Sequence, residues 1–137
     1  MFDTSIEIRV RYAETDQMGI VYYGNYATYY EVARVEALRK VGFSYKALEA
    51  EGIIMPVVEN HSKYIKPALY DELLTVRVFI KQLPGVKTIF NYEFFNESGT
   101  LIHIGETKLV FLDNQTRKPC MPPVQLIELL TPYFSEG

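Results

Sequence analysis

The chain has 137 residues, 48% of them hydrophobic and 23% charged, which fits one folded domain over 1–137 with a sizeable core and argues against disorder. A formal net charge of −3 and a pI near 5.4 leave no basic face of the kind nucleic acids require, so no nucleic-acid partner is expected. With Cys120 as its one cysteine, the chain can form no intrachain disulfide and has no C-x-x-C metal or redox pattern, which suits a reducing compartment.

The segment from Met1 to Arg9 carries acids and no apolar signal core, and no apolar run approaches the ~18 residues of a membrane span. A cytoplasmic protein is expected. Aromatics are the unusual feature: eleven Tyr and eight Phe with no Trp, and the tyrosines crowd between Tyr12 and Tyr30, as residues lining a surface or an interface do.

From Ser5 to Arg11 the residues alternate, Ile6, Ile8 and Val10 against Glu7, Arg9 and Arg11, and predict a half-buried strand. A loop with Asp16 and Gly19 follows. Asn25 is the expected N-cap of a long helix reaching Val41, with Tyr26, Tyr30, Ala33, Ala37 and Val41 down one face. Glu31, Arg34, Glu36, Arg39 and Lys40 fill the polar remainder, with Glu36 and Lys40 spaced for an i,i+4 pair, and Gly42 marks the stop. A short helix is expected from Tyr45 to Glu51.

Strand signals then dominate. Pro56 to Lys66 is polar on both faces, Glu59, His61 and Lys63 opposing Asn60, Ser62 and Tyr64, and so is either a sheet edge or the lining of a wet site. Leu73 to Gln82 shows an inner face of Leu74, Val76, Val78 and Ile80. Pro84-Gly85 is a turn. Val86 to Asn96 and Leu101 to Leu112 form two further strands joined by the hairpin Asn96-Glu97-Ser98-Gly99. Pro122-Pro123 opens a last helix, Val124 to Phe134. One strand, a long helix, four strands and a short helix make an α+β protein whose sheet is mostly antiparallel.

The stretch Tyr12 to Arg34 invites a chemical reading. A loop acid facing a helix N-terminus can attack an acyl carbon or activate water, while free backbone N–H groups stabilise the developing oxyanion. Asp16 after a strand is otherwise an ordinary turn residue. His61 is an alternative base, and Glu59 is an edge charge or the wall of a neighbouring pocket. His103, between Ile102 and Ile104, is expected to be a satisfied, partly buried core residue, and Cys120 has no partner histidine. No metal site and no phosphate-binding glycine loop occurs.

The segment Tyr-x-x-Thr-Asp-x-x-Gly-x-Val-Tyr, Tyr12 to Tyr22, with Asn25-Tyr26 and Glu31-x-Ala33-Arg34, resembles the hotdog-fold acyl-CoA thioesterases of the hydroxybenzoyl-CoA thioesterase and YbgC type. Tyr64-Ile65-Lys66-Pro67-Ala68 with Asp71-Glu72-Leu73 is similar to that family's downstream block. The resemblance implies an antiparallel sheet wrapped around one long central helix, a homodimer or homotetramer with sites at subunit interfaces, and an acyl-CoA substrate with no other cofactor. It also assigns roles. Asp16 becomes the catalytic carboxylate, the backbone N–H of Tyr23, with that of Gly24, polarises the thioester carbonyl, and Glu31 lies near the acyl group. Where the YbgC branch has a histidine seven residues after the acid, this chain has Tyr23, which argues against YbgC-like short-chain activity. Glu59 and His61 are further substrate-binding candidates, and Lys87 is the candidate for the CoA phosphates, ahead of Lys63, Lys66, Arg117 and Lys118. A thioester is electrophilic and its thiolate leaves readily, so one carboxylate and a preorganised donor suffice. The reading of another class is a non-catalytic acyl-CoA or acyl-carrier binding module. A hotdog hydratase would want a histidine near the central helix, where the sequence places neither His61 nor His103.

Overall fold

The computed structural model of the chain describes residues 1–134; the last three residues of the predicted 1–137 unit lie outside them. Strand β1 (Phe2–Arg9) begins three residues before the alternation that announces it, because Phe2 continues the inward face of Ile6. The chain then makes a 3-10 turn at Tyr12–Glu14, crosses the Asp16–Gly19 loop, and makes a second 3-10 turn at Tyr23–Asn25 that runs into helix α1 (Tyr26–Lys40).

Asn25 is not the N-cap. It is already helical at φ −77° and ψ −14°, and its side chain caps nothing in the helix. The 3-10 turn moves the start back to Tyr22, which is extended at φ −62° and ψ 134°, and the Asn25 amide instead donates to the Glu14 carbonyl at 2.8 Å. The far end follows expectation. Gly42, at φ +93°, donates its N–H to the Arg39 carbonyl while the Phe43 N–H reaches back to Leu38, the two bonds that close a helix through a left-handed residue.

Helix α1 buries Tyr26, Tyr29, Tyr30, Ala33, Arg34, Ala37 and Leu38. Arg34 thus departs from its predicted polar face. Its Nη1 donates to the Tyr92 hydroxyl at 3.1 Å, and that hydroxyl bonds the Thr107 hydroxyl at 2.7 Å, so the guanidinium has a polar seat inside the protein. Glu36 pairs with Arg39 instead of Lys40. The Lys40 ammonium donates to the Ser5 carbonyl and the Thr4 hydroxyl, fastening the helix end to β1.

After α2 (Tyr45–Ala50), capped by Ser44, come β2 (Ile53–Ile54), β3 (Val57–Tyr64), β4 (Leu73–Ile80), β5 (Lys87–Phe95), β6 (Leu101–Val110), β7 (Leu112–Asp113) and α3 (Val124–Leu130). A 3-10 turn at Thr131–Tyr133 replaces the last part of the predicted final helix. Five strands form one sheet in the order β1-β4-β5-β6-β3, with every pairing antiparallel; β2 and β7 make a two-residue ladder that no sequence signal announced. The inward residues of β4, β5 and β6, among them Leu74, Val76, Val78, Phe90, Phe94 and Ile102, meet the buried side of α1 in one core. Each such side chain contributes roughly 1.5–3 kcal/mol when taken out of water.

Strand β3 ends the sheet, so its polar character is that of an edge. Its register opposite β6 pairs Glu59 with Lys108, His61 with Glu106, Ser62 with Gly105 and Tyr64 with His103. Because His103 and Gly105 are buried while Glu106 and Lys108 are partly open, Asn60, Ser62 and Tyr64 face the helix. Glu59, His61 and Lys63 face outward.

Candidate active site

The Asp16 loop is built by short-range bonds. Thr15 and Val21 form a bridge, the Asp16 N–H donates to the Ile20 carbonyl at 2.9 Å, and the Gly19 N–H donates to the Asp16 carbonyl at 3.0 Å. Gly19 closes the loop at φ +77°, a left-handed position that suits glycine. Asp16 Oδ1 accepts the Met18 N–H at 2.8 Å. This local turn orients the carboxylate and leaves its second oxygen without a hydrogen-bond partner among the described residues.

Glu14 anchors this loop to the helix. It is 8% exposed; Oε1 accepts from the Arg11 N–H at 2.9 Å and the Tyr29 hydroxyl at 2.8 Å, and Oε2 accepts from Arg11 Nε and Nη2 at 3.0 and 2.7 Å. Its carbonyl takes the Tyr22 N–H and the Asn25 amide. Burial alone pushes its carboxyl upward, but these donors outweigh burial and hold it below the usual carboxylate range. One residue thereby ties the acid's loop to the start of α1.

Asp16 and Tyr23 line the same cleft of about 500 Å3, together with Tyr22, Tyr26, Tyr64 and Lys66. A second hollow of about 330 Å3 shares Tyr23, Tyr26 and Tyr64 and adds Gly24, Ala27, Asn60 and Ser62. The first hydrogen bond of the helical start runs from the Asn25 N–H to the Tyr22 carbonyl. The N–H groups of Tyr23 and Gly24 precede it and stand at the positive end of α1. Burial pushes the Tyr26 phenol up to about 12, so this hydroxyl keeps its proton near pH 7 and is not the base of the cleft. A larger hollow of about 690 Å3 lies elsewhere, at Arg9, Thr75 and Asn96, and contains neither Asp16 nor the helix start.

The remaining predicted residues lie apart from this cleft. Glu31 is exposed on α1 one turn beyond Ala27, on the stripe that edges the smaller hollow. Glu59 and His61, on the outer face of β3, contact each other at 3.2 Å, and Glu59 also accepts from Lys108 at 2.8 Å. Lys87 opens β5 and borders an outer-face hollow of about 360 Å3 with Lys81 and Lys108. Of the lysine alternatives, Lys66 is the one that shares the Asp16 cleft.

Sequence reasoning did not single out Glu14. Its signal was the three-residue spacing to Arg11, a capping arrangement in which the acid bonds back to the backbone N–H. Ser62 was seen only as part of one polar face of a strand, and Tyr64 as part of that face and of the downstream block, neither with a role at the site. His103 is more deeply placed than expected and, contrary to the sequence reading, lies against the central helix because the β6 register turns it inward: it has no exposure, it stacks on the Tyr26 ring of α1 with centroids 4.0 Å apart, and its Nδ1 has no hydrogen-bond partner among the described residues.

Over residues 10–129 the chain matches the model of the thioesterase-like superfamily. It is 40% identical over 113 residues to the protein YneP of Bacillus subtilis, covering 82% of each chain. With acyl-CoA thioester hydrolase YbgC of Escherichia coli it shares 33% identity over 120 residues, 88% of this chain and 90% of that one. Its structure superposes on DHNA-CoA thioesterase from Staphylococcus aureus with a TM-score of 0.85 at 40% identity, covering 98% of this chain and 85% of that one.

Proposed function

The chain belongs to the thioesterase-like superfamily and has the hotdog fold, and from that premise we propose that it hydrolyses an acyl-CoA thioester to the free acid and CoA. The observation that carries this reading is the placement of Asp16 and Tyr23 on one cleft at the start of α1. In the proposed reaction the thioester carbonyl oxygen lies against the Tyr23 and Gly24 N–H groups, and negative charge develops there as the carbonyl carbon becomes tetrahedral. A donor of this kind lowers a barrier by about 2.7–4 kcal/mol. Asp16 supplies the other half, as nucleophile through an acyl-enzyme anhydride or as general base on water. The C–S bond breaks, the thiolate takes a proton, and the acid leaves with the oxygen that water brought.

The tyrosine-walled cleft favours an aromatic acyl group over a short one, with medium chains next. Lys87, Glu59 and His61 lie on the opposite face of the sheet. In our proposal they meet the substrate from a second copy of the chain, Lys87 toward the CoA phosphates, in a cytoplasmic homodimer or dimer of dimers. Glu31 guards the acyl end from the helix.

One observation favours a second reading. Asp16 Oδ1 already serves a turn through the Met18 N–H, so a binding module without chemistry would use the same residue structurally. Free-thiol release from acetyl-, medium-chain and benzoyl-CoA separates the two. Hydrolysis expects turnover of at least one member; binding of the panel with no thiol released would establish the module instead.

A further inference from the structure

Behind the smaller hollow runs a polar connection that the reaction scheme does not use. The Tyr30 hydroxyl lies 2.5 Å from His103 Nε2 and 2.6 Å from Ser62 Oγ. The sheet register makes this possible. Ser62 on β3 stands opposite Gly105 on β6, and His103 is two residues before Gly105 on the same inward face. A Cβ at position 105 would collide with the Tyr30 hydroxyl, so the glycine opens the one place where a tyrosine from α1 can lie between the two strands. Ser62 is the outer end of this row, and it lines the hollow beside Gly24.

The direction of the protons follows from the buried end. His103 Nδ1 meets no partner among the described residues. A buried N–H without an acceptor is rarer than a buried acceptor without a donor, so Nδ1 carries the lone pair and Nε2 the proton. Nε2–H then donates to Tyr30, and the Tyr30 O–H donates to Ser62 Oγ. Ser62 is thereby left with its own proton to give. Its acceptor in the structure is Asn60 Oδ1 at 3.2 Å, a long bond for a hydroxyl donor and one an incoming oxygen can replace.

We propose that the acyl group extends from the Asp16 cleft into the adjoining smaller hollow and that Ser62 is a further substrate-binding residue there, its hydroxyl proton turned into that hollow by Tyr30 and His103, which act as positioning residues. This rests on the acyl-CoA reading above. The partner is an oxygen acceptor carried by the acyl group, either the thioester carbonyl or an oxygen substituent on the acyl chain or ring. Asp16, Tyr23 and Gly24 handle the reacting bond, and Ser62 fixes how the acyl group lies beside it.

The test is the Kd of benzoyl-CoA and of ring-hydroxylated benzoyl-CoA, measured by calorimetry on Asp16→Asn protein so that the ligand is not consumed, with and without Ser62→Ala and Tyr30→Phe. Ser62→Ala should weaken binding about threefold to tenfold, the worth of one neutral hydrogen bond. A loss for both ligands identifies the thioester carbonyl as the acceptor; a loss confined to the hydroxylated ligand identifies the ring oxygen. Tyr30→Phe should also weaken binding, and the Tyr30→Phe/Ser62→Ala combination should bind no worse than Ser62→Ala alone, because both act through the same proton. Additive losses would make Tyr30 a packing residue and overturn the relay. Unchanged binding in Ser62→Ala overturns the proposal and leaves the hydrolase reading standing, since that is judged by thiol release from the unaltered protein. The converse, a Ser62-dependent Kd with no thiol release, supports the proposal and removes the hydrolase. If neither ligand binds, the Ser62 proposal falls, and the hydrolase reading is still decided by thiol release from the acyl-CoA panel.

Discussion

Acid should loosen this protein through His103. The ring has no exposure and is packed against Tyr26, Tyr64 and Phe94, and burial pushes its pKa from 6.5 down to about 4. Between those values the unfolded chain takes up a proton that the folded chain refuses. The stability from keeping this histidine neutral is therefore fully present above pH 6.5 and is lost as pH falls toward 4. At about 1.4 kcal/mol per pH unit, the loss amounts to about 3 kcal/mol. Glu14 acts in the same direction but lower: its carboxyl is held below 4.5, so its contribution is present above that value and disappears beneath it. The perturbation is His103→Gln, which does not titrate and still offers a polar group to the Tyr30 hydroxyl. Urea unfolding at a series of pH values from 7 to 4.5 measures the slope. The wild type should lose stability steadily through this window while the variant, weaker at pH 7, stays nearly level. Parallel slopes in the two proteins would refute the assignment.

Two further outcomes follow from the packing. Glu14→Ala leaves the Tyr29 hydroxyl and the Arg11 N–H without their acceptor and should cost about 1–3 kcal/mol in urea unfolding, with a fall in kcat because the Asp16 loop loses its tie to α1. Gly105→Ala sets a methyl against the Tyr30 ring and should cost about 1–3 kcal/mol by overpacking, read as a lower unfolding midpoint, with weaker acyl-CoA binding if Tyr30 is displaced from Ser62.

Much of this architecture was written in short-range pattern. The alternation in β1 and β4 and the small-residue stripe of α1 each describe one element facing one core, so periodicity alone reveals them. The misreadings share a different cause. Arg34 looked like a surface charge because its seat, Tyr92 and Thr107, comes from strands far along the chain. Asn25 has the chemistry of a cap, yet the 3-10 turn before it, held by Glu14, shifted the helix start. The two polar faces of β3 were correctly divided, but the side that looks inward depends on pairing with β6, and that pairing sent Glu59 and His61 outward. At the site, the motif brought Asp16 and Tyr23 onto one cleft, whereas the row from Ser62 to His103 exists only through sheet register and the space above Gly105.

The central claim is that the Asp16 carboxylate drives thioester cleavage beside the free N–H groups that open α1. Single-turnover release of thiol from bound benzoyl-CoA, wild type against Asp16→Asn, tests it most directly, because Asn keeps the shape and the turn acceptor while removing the charge. The account predicts a similar Kd and a rate lower by about 10²–10⁴-fold. A variant that binds equally well and cleaves at nearly the wild-type rate would make Asp16 a turn residue and contradict it.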